Sequence, residues 1–179
     1  MKHLPYTDAF VDESIRGQRY LMACVLVEAA RMPAVRSDMR KLVLRTGRLH
    51  FNNELPARRR LILTTIAASP LSAFAVICHR GHGVTEFEAR NLCLAKIVNE
   101  LQARRVGRLT IESRQDDRDD VRALRRERQS TPPLVWDHVA GVTERMLWVA
   151  DGVAWAVGTG GATRALIEPT LSDVVHLRP

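Results

Sequence analysis

The sequence predicts an α/β domain built on a mixed β-sheet that a β-hairpin opens, with helices on both faces. Three observations carry this. "AFVDES", residues 9–14, and "RYLMACVLVE", 19–28, are strand-like runs joined across "RGQ", a turn centred on glycine. From residue 72 onward strand-like and helical stretches alternate, the order that builds layered α/β domains. A hairpin is antiparallel while alternating units favour parallel pairing, so the sheet is mixed.

After the hairpin, "VRSDMRKLVLRT", 35–46, has helical spacing and stops at Gly47, and "HFNNELP" reads as a loop. "ARRRLILTTIAA", 57–68, is a helix ended by Ser69-Pro70, and "SAFAVICH", 72–79, is a strand broken by Gly81 and Gly83. Apolar residues recur at helical spacing over 85–105, through Phe87, Leu92, Leu94, Ile97, Val98 and Leu101, with Thr85 placed to cap. "RLTIES", 108–113, is a strand. Residues 116–128 form a charged helix whose acids come first and arginines last, as its dipole favours. "PLVWDHVAG" holds the last main strand, and 144–157 an apolar helix stopped by "GTGG". We expect one domain over 1–179, with a helical insertion at about 31–69 and a C-terminal extension at about 158–179.

Of the 179 residues, 46% are hydrophobic and 26% charged, the profile of a chain that folds around a core. The net charge of +7 favours an anionic partner such as nucleic acid. Lysine occurs only at Lys2, Lys41 and Lys96, so arginine supplies nearly all the positive charge. Arginine suits bidentate phosphate contact, although an arginine-rich codon bias gives the same excess. Cys24, Cys78 and Cys93 are scattered among apolar residues and read as buried core thiols of a reducing compartment. The first residues lack an apolar run of signal-peptide length, and no stretch reaches the roughly 18 apolar residues of a membrane span. A cytoplasmic location without membrane partners is the expectation.

The informative residues are acidic. In β-structure Phe10, Asp12 and Ser14 share one face and Val11 and Glu13 the other; Thr110, Glu112 and Arg114 share a face opposite Leu109 and Ile111. Asp151 lies in "LWVADGVAW", where its helical neighbours Leu147, Trp148, Ala154 and Trp155 are all apolar. A carboxylate there needs a hydrogen bond, a proton or a cation. If the strands of Asp12 and Glu112 are neighbours, the three acids converge at one edge of the sheet, where hard oxygen ligands suit Mg²⁺ or Mn²⁺. Each acid also has a plainer reading. Asp12 ends a strand, Glu112 fits a pair with Arg114, and Asp151 fits a bond from a backbone or indole N–H. Asp116, Asp117, Asp119 and Asp120 fit helix capping. His50 orients a water or phosphate, or bonds the backbone. The run Arg58–Arg60, Arg104 with Arg105 and Arg125 with Arg126 follow a phosphate backbone or form solvated faces.

"VDESIRGQRYLMACVLV", "LHFNNELPARRRLI", "LTIESRQDDRDD" and "LWVADGVAWAV" together resemble an uncharacterised family, domain of unknown function 3800, a branch of the RNase H-like superfamily. The resemblance spans residues 8–157. Its motif residues fall on Asp12, Glu13 and Ser14, on His50 and Phe51, on Glu112, and on Ala150 with Asp151. At Glu112 the family more often has aspartate; a subgroup reads Glu-Ser-Arg with an aspartate several residues on, here Asp117 or Asp120. The resemblance implies an RNase H-like fold and metal-dependent cleavage of nucleic acid. Asp12, Glu112, Asp151 and His50 are then the catalytic residues. Asp12, Glu13, Glu112 and Asp151 are metal ligands for Mg²⁺ or Mn²⁺, and Arg58, Arg59 and Arg114 are phosphate contacts. The alternative is a nucleic-acid- or partner-binding domain that keeps the fold without catalysis.

Overall fold

A computed structural model describes residues 7–43, 47, 49–115 and 117–179. The elements are β1 (Thr7–Arg16), β2 (Arg19–Glu28), α1 (Met32–Leu42), a 3₁₀ turn (Phe51–Asn53), α2 (Pro56–Ala68), β3 (Ser72–His79), α3 (Glu86–Ala103), β4 (Arg108–Glu112), α4 (Asp117–Glu127), β5 (Val135–Val139), α5 (Arg145–Thr159), α6 (Gly161–Ala165) and β6 (Leu171–Leu177). They form one six-stranded sheet in the order β5-β4-β1-β2-β3-β6. β1, β2 and β3 form an antiparallel meander, while β4 runs parallel to β1, β5 to β4 and β6 to β3. The expected mixed sheet is what forms. The hairpin turns through Gly17, whose φ of +57° is a conformation that residues with a Cβ adopt reluctantly.

Alternation along the strands sends side chains into two separate cores. Phe10, Leu21, Ala23 and Val25 pack under α1, α2 and α5. Ala9, Val11, Met22 and Cys24 pack under α3 and α4, together with Leu109 and Ile111 of β4. Both faces of the central strands are therefore dry, which is why "YLMACVLV" reads as a continuous apolar run. The three cysteines are free and buried, and burial holds the Cys93 thiol up at about 12.

Several helix boundaries behave as expected. Thr85 and Glu88 form a reciprocal capping box at the start of α3. α4 carries Asp117, Asp119 and Asp120 in its first turn and Arg125 and Arg126 in its last. The last residues of the expected 35–46 helix, 44–46, and Asp116 lie outside the described residues. The stripe of α3 differs from the one expected: Phe87 and Leu92 are exposed, and the buried line runs through Ala89, Arg90, Cys93, Leu94, Ile97 and Leu101. β5 is followed by a sixth strand. β6 lies against β3, its attachment reinforced by a 2.8 Å contact between His79 Nε2 and His176 Nδ1. Among the described residues, no helix is long and apolar enough to cross a membrane.

Candidate active site

β1 and β4 set the first part of the site. Val11 pairs with Ile111, so Asp12 and Glu112 follow side by side on neighbouring parallel strands. Phe10 lies in the core under α5, and Ser14 Oγ would be 3.6 Å from a Cβ on Gly158 of the same helix. Asp12, between them on that face, therefore points toward α5. Glu112 does likewise, because Leu109 and Ile111 fill the opposite core. β4 ends at Glu112 while β1 continues to Arg16; beside the divergence a cleft of about 160 Å³ is bordered by Asp12 and Glu112 but lined mainly by Val11, Glu13, Met22, Arg90, Ile111 and Arg114, so it opens on the α3 side of the sheet. The Asp12 carboxylate accepts a 2.8 Å bond from the Glu13 backbone N–H.

Asp151 approaches from α5. Residues seven apart lie on one helix face, about 10 Å apart along the axis. Glu144, at the N-cap of α5, acts electrostatically on Asp8 of β1, and Gly158 meets Ser14 and Arg16. Asp151 is midway between these two points of contact, so its stripe runs along the stretch of β1 that carries Asp12. Its carboxylate accepts a 3.1 Å bond from Phe51 N–H, and His50 Nδ1 stands 3.7 Å from the same oxygen. The backbone amide is the partner that a carboxylate among Leu147, Trp148, Ala154 and Trp155 demands. Asp151 is not among the residues that line the Asp12–Glu112 cleft.

A packing device holds the loop of His50 and Phe51 in place. Phe51 is fully buried, and its ring occupies the space beside Gly152: a Cβ there would lie 2.7 Å from the ring. Arg59 donates to the carbonyls of Phe51 (2.7 Å) and Asn52 (3.0 Å), and Arg58 donates to Glu54 and to the Leu42 carbonyl. These two arginines, expected at phosphate, brace the loop beside Asp151.

Glu13 and Arg114 meet on the other side of the sheet. Glu13 projects toward α3, where its carboxylate pairs with Arg90 and Arg114 and accepts a 2.8 Å bond from Tyr20 Oη. Arg90 also grips both oxygens of buried Asp120 at 2.6 Å, and His138 Nε2 lies 3.1 Å from Asp120. Burial works to raise the Asp120 carboxyl, but the bonds from Arg90 and His138 outweigh it and hold it below the usual range. Asp117 accepts from Ser113 Oγ and Arg114 N–H, both at 2.6 Å. Donor atoms of Asp117, Asp120 and His138 lie within 4.8 Å of one another. A cation there would face the Arg90 guanidinium, which already compensates the Asp120 charge. The sequence places Asp120 at the start of a helix, or, by the family resemblance, offers it or Asp117 as the further acid after Glu112, and gives Arg90 no part. The available signal was an arginine three residues before Cys93 and four before Leu94, on a line that is otherwise apolar.

No family model matches the sequence, and neither does any curated protein sequence. Solved structures do. The chain is similar to a ribonuclease H2 from Pyrococcus horikoshii OT3, with a TM-score of 0.58 at 15% identity over 86% of this chain and 72% of that one. It is also similar to Bst-RNase HIII, solved in complex with Mn²⁺, with a TM-score of 0.54 at 10% identity, covering 87% of this chain and 52% of that one. At these identities the likeness establishes the fold, which is RNase H-like. The narrower resemblance to domain of unknown function 3800 rests on the short motifs alone.

Proposed function

We propose that the chain is a divalent-metal-dependent nuclease or related phosphodiesterase acting on nucleic acid. The carrying observation is the pair Asp12 and Glu112, adjacent on parallel strands and turned toward the helix of Asp151. Neighbouring strands lie about 4.8 Å apart, so two carboxylates in this position are close enough to share one ion. All three donors are hard oxygens, the chemistry that Mg²⁺ and Mn²⁺ take. The fold is that of proteins named as ribonucleases H, one of them solved with Mn²⁺, which supports the same reading.

In this reading Asp12, Glu112 and Asp151 hold the ion, which when bound acidifies water and offsets charge on the phosphate. The chain's own contribution is orientation. The amides of Glu13 and Phe51 fix Asp12 and Asp151 before any ligand arrives. His50, half exposed beside Asp151, is positioned to exchange a proton with water or with the departing oxygen. Water adds to phosphorus, one phosphorus–oxygen ester bond breaks, and the leaving oxygen takes up a proton. Glu13, paired with Arg90 and Arg114, ties β1 to α3 instead of joining the ligands.

The test is a panel of single- and double-stranded DNA, RNA and hybrids, incubated with and without Mg²⁺ or Mn²⁺. Metal-dependent cleavage by the parent, abolished in Asp12→Asn and Asp151→Asn, is the expected result. The same metals should raise the parent's Tm and leave that of Asp151→Asn unmoved, since a ligand of the folded state stabilises it by mass action. Absence of both effects replaces the proposal with a nucleic-acid- or partner-binding domain that lacks catalysis.

A further inference from the structure

A groove of about 230 Å³ lies between α2 and α6, lined by Pro56, Arg59, Arg60, Leu63, Trp155 and Leu166. Trp155 follows Asp151 by one helical turn, so the groove and the acids share a side of α5. The partly exposed indole carries the Arg59 guanidinium 4.6 Å from its ring centroid, and the Arg16 guanidinium stands 5.9 Å away. Arg59 is held by the carbonyls of Phe51 and Asn52, so its guanidinium is fixed over one face of the indole at the wall of the groove, while the Phe51 ring packs against the indole at 5.9 Å. Arg60 is exposed and makes no ion pair among the described residues. No acidic residue lines the groove.

We propose that this groove is a single-strand subsite: one unpaired base lies flat against the Trp155–Arg59 stack, and a phosphate of the same strand is met by Arg60. The occupant follows from the chemistry. A wall of indole and guanidinium accepts any base face, and two cations without an acid complement a phosphate backbone. A base inside a duplex has both faces covered by its neighbours, so the groove selects unpaired nucleotides. With one partly exposed tryptophan in its lining it is a one-base subsite. The proposal deepens the nuclease reading and rests on it for the identity of the occupant.

Binding measured by fluorescence anisotropy in EDTA separates the subsite from cleavage. The probes are a short labelled single strand, as DNA and as RNA, a duplex of equal length, and a strand of equal length carrying abasic sites. The parent should bind either single strand roughly tenfold more tightly than the abasic strand, the range expected for one stacked base. The duplex should bind more weakly than the single strand. Arg60→Glu should weaken the single strand several-fold. Trp155→Leu should erase the preference for bases while Trp155→Phe keeps it. If Trp155→Leu does not fold, the abasic comparison and Arg60→Glu carry the decision. No binding by the parent, equal binding of abasic or duplex probes, or an unchanged Kd in Arg60→Glu overturns the subsite. Base-dependent binding without cleavage of the panel overturns the nuclease reading alone; cleavage with base-independent binding overturns the subsite alone.

Discussion

The two faces of the sheet treat their acids differently. Under α3 and α4, Glu13 and Asp120 are gripped by arginine: Arg90 spans both, and Arg114 adds a second pairing to Glu13. Under α5, backbone amides donate to Asp12 and Asp151, and His50 Nδ1 stands 3.7 Å from the latter. An amide orients a carboxylate and leaves its full negative charge in place, whereas a bidentate guanidinium cancels it. The difference separates an architectural clamp from the acids proposed as cation ligands.

Substitutions can break or sharpen that distinction. The largest effect should come from Arg90→Ala, which leaves buried Asp120 without its guanidinium and half-buried Glu13 with Arg114 alone; breaking such a buried pair costs about 3–5 kcal/mol, read by urea denaturation. Gly152→Ala comes next. Its new methyl group must displace the Phe51 ring or Ile66, at about 1–3 kcal/mol, and cleavage should fall with it because His50 moves too. Asp151→Asn should leave unfolding within about 1 kcal/mol of the parent, since the amide side chain still accepts from Phe51 N–H. Should it destabilise as much as Arg90→Ala, the contrast between the faces is wrong.

The smallest effects are in pH dependence, and the two faces carry opposite signs. The folded state depresses the Asp120 carboxyl, so the stability it contributes is complete above its ordinary value of 3.8 and is lost as pH falls through the lower folded value. Asp8 behaves in reverse. Burial raises it, against the pull of Arg108 and Arg36, and its Oδ1 is buried without a hydrogen-bond partner. Its contribution is complete below 3.8 and is lost as pH rises through the raised folded value. Asp8→Asn, neutral at every pH, should therefore raise Tm at pH 7, and the gain should vanish below about pH 4. A constant gain across the range would refute the assignment.

Much of the architecture could be read from periodicity. The hairpin, the alternation after residue 72, the α3 cap and the shared face of Phe10, Asp12 and Ser14 all follow from local spacing, because each depends on neighbours in the chain. β6 escaped because its partner, β3, lies about a hundred residues back and its edge position lets polar residues alternate with apolar ones. Asp151 stood out as a lone acid among apolar neighbours, but its partner, an amide a hundred residues away, has no side-chain signature. The buried clamp was illegible for a related reason. An arginine on a helix usually points to solvent, and only the fold reveals that Glu13 and Asp120 wait beneath Arg90.

α5 is moored at each extremity by an arginine from elsewhere in the chain: Arg36 takes Glu144 at its beginning, and Arg19 donates to the Gly158 carbonyl near its end. A rod fastened at two points resists both sliding and rolling. The angular setting of its midpoint is thereby dictated from places far outside the proposed site, so loosening either mooring should weaken the proposed cleavage while Asp12, Glu112 and Asp151 all stay in the sequence.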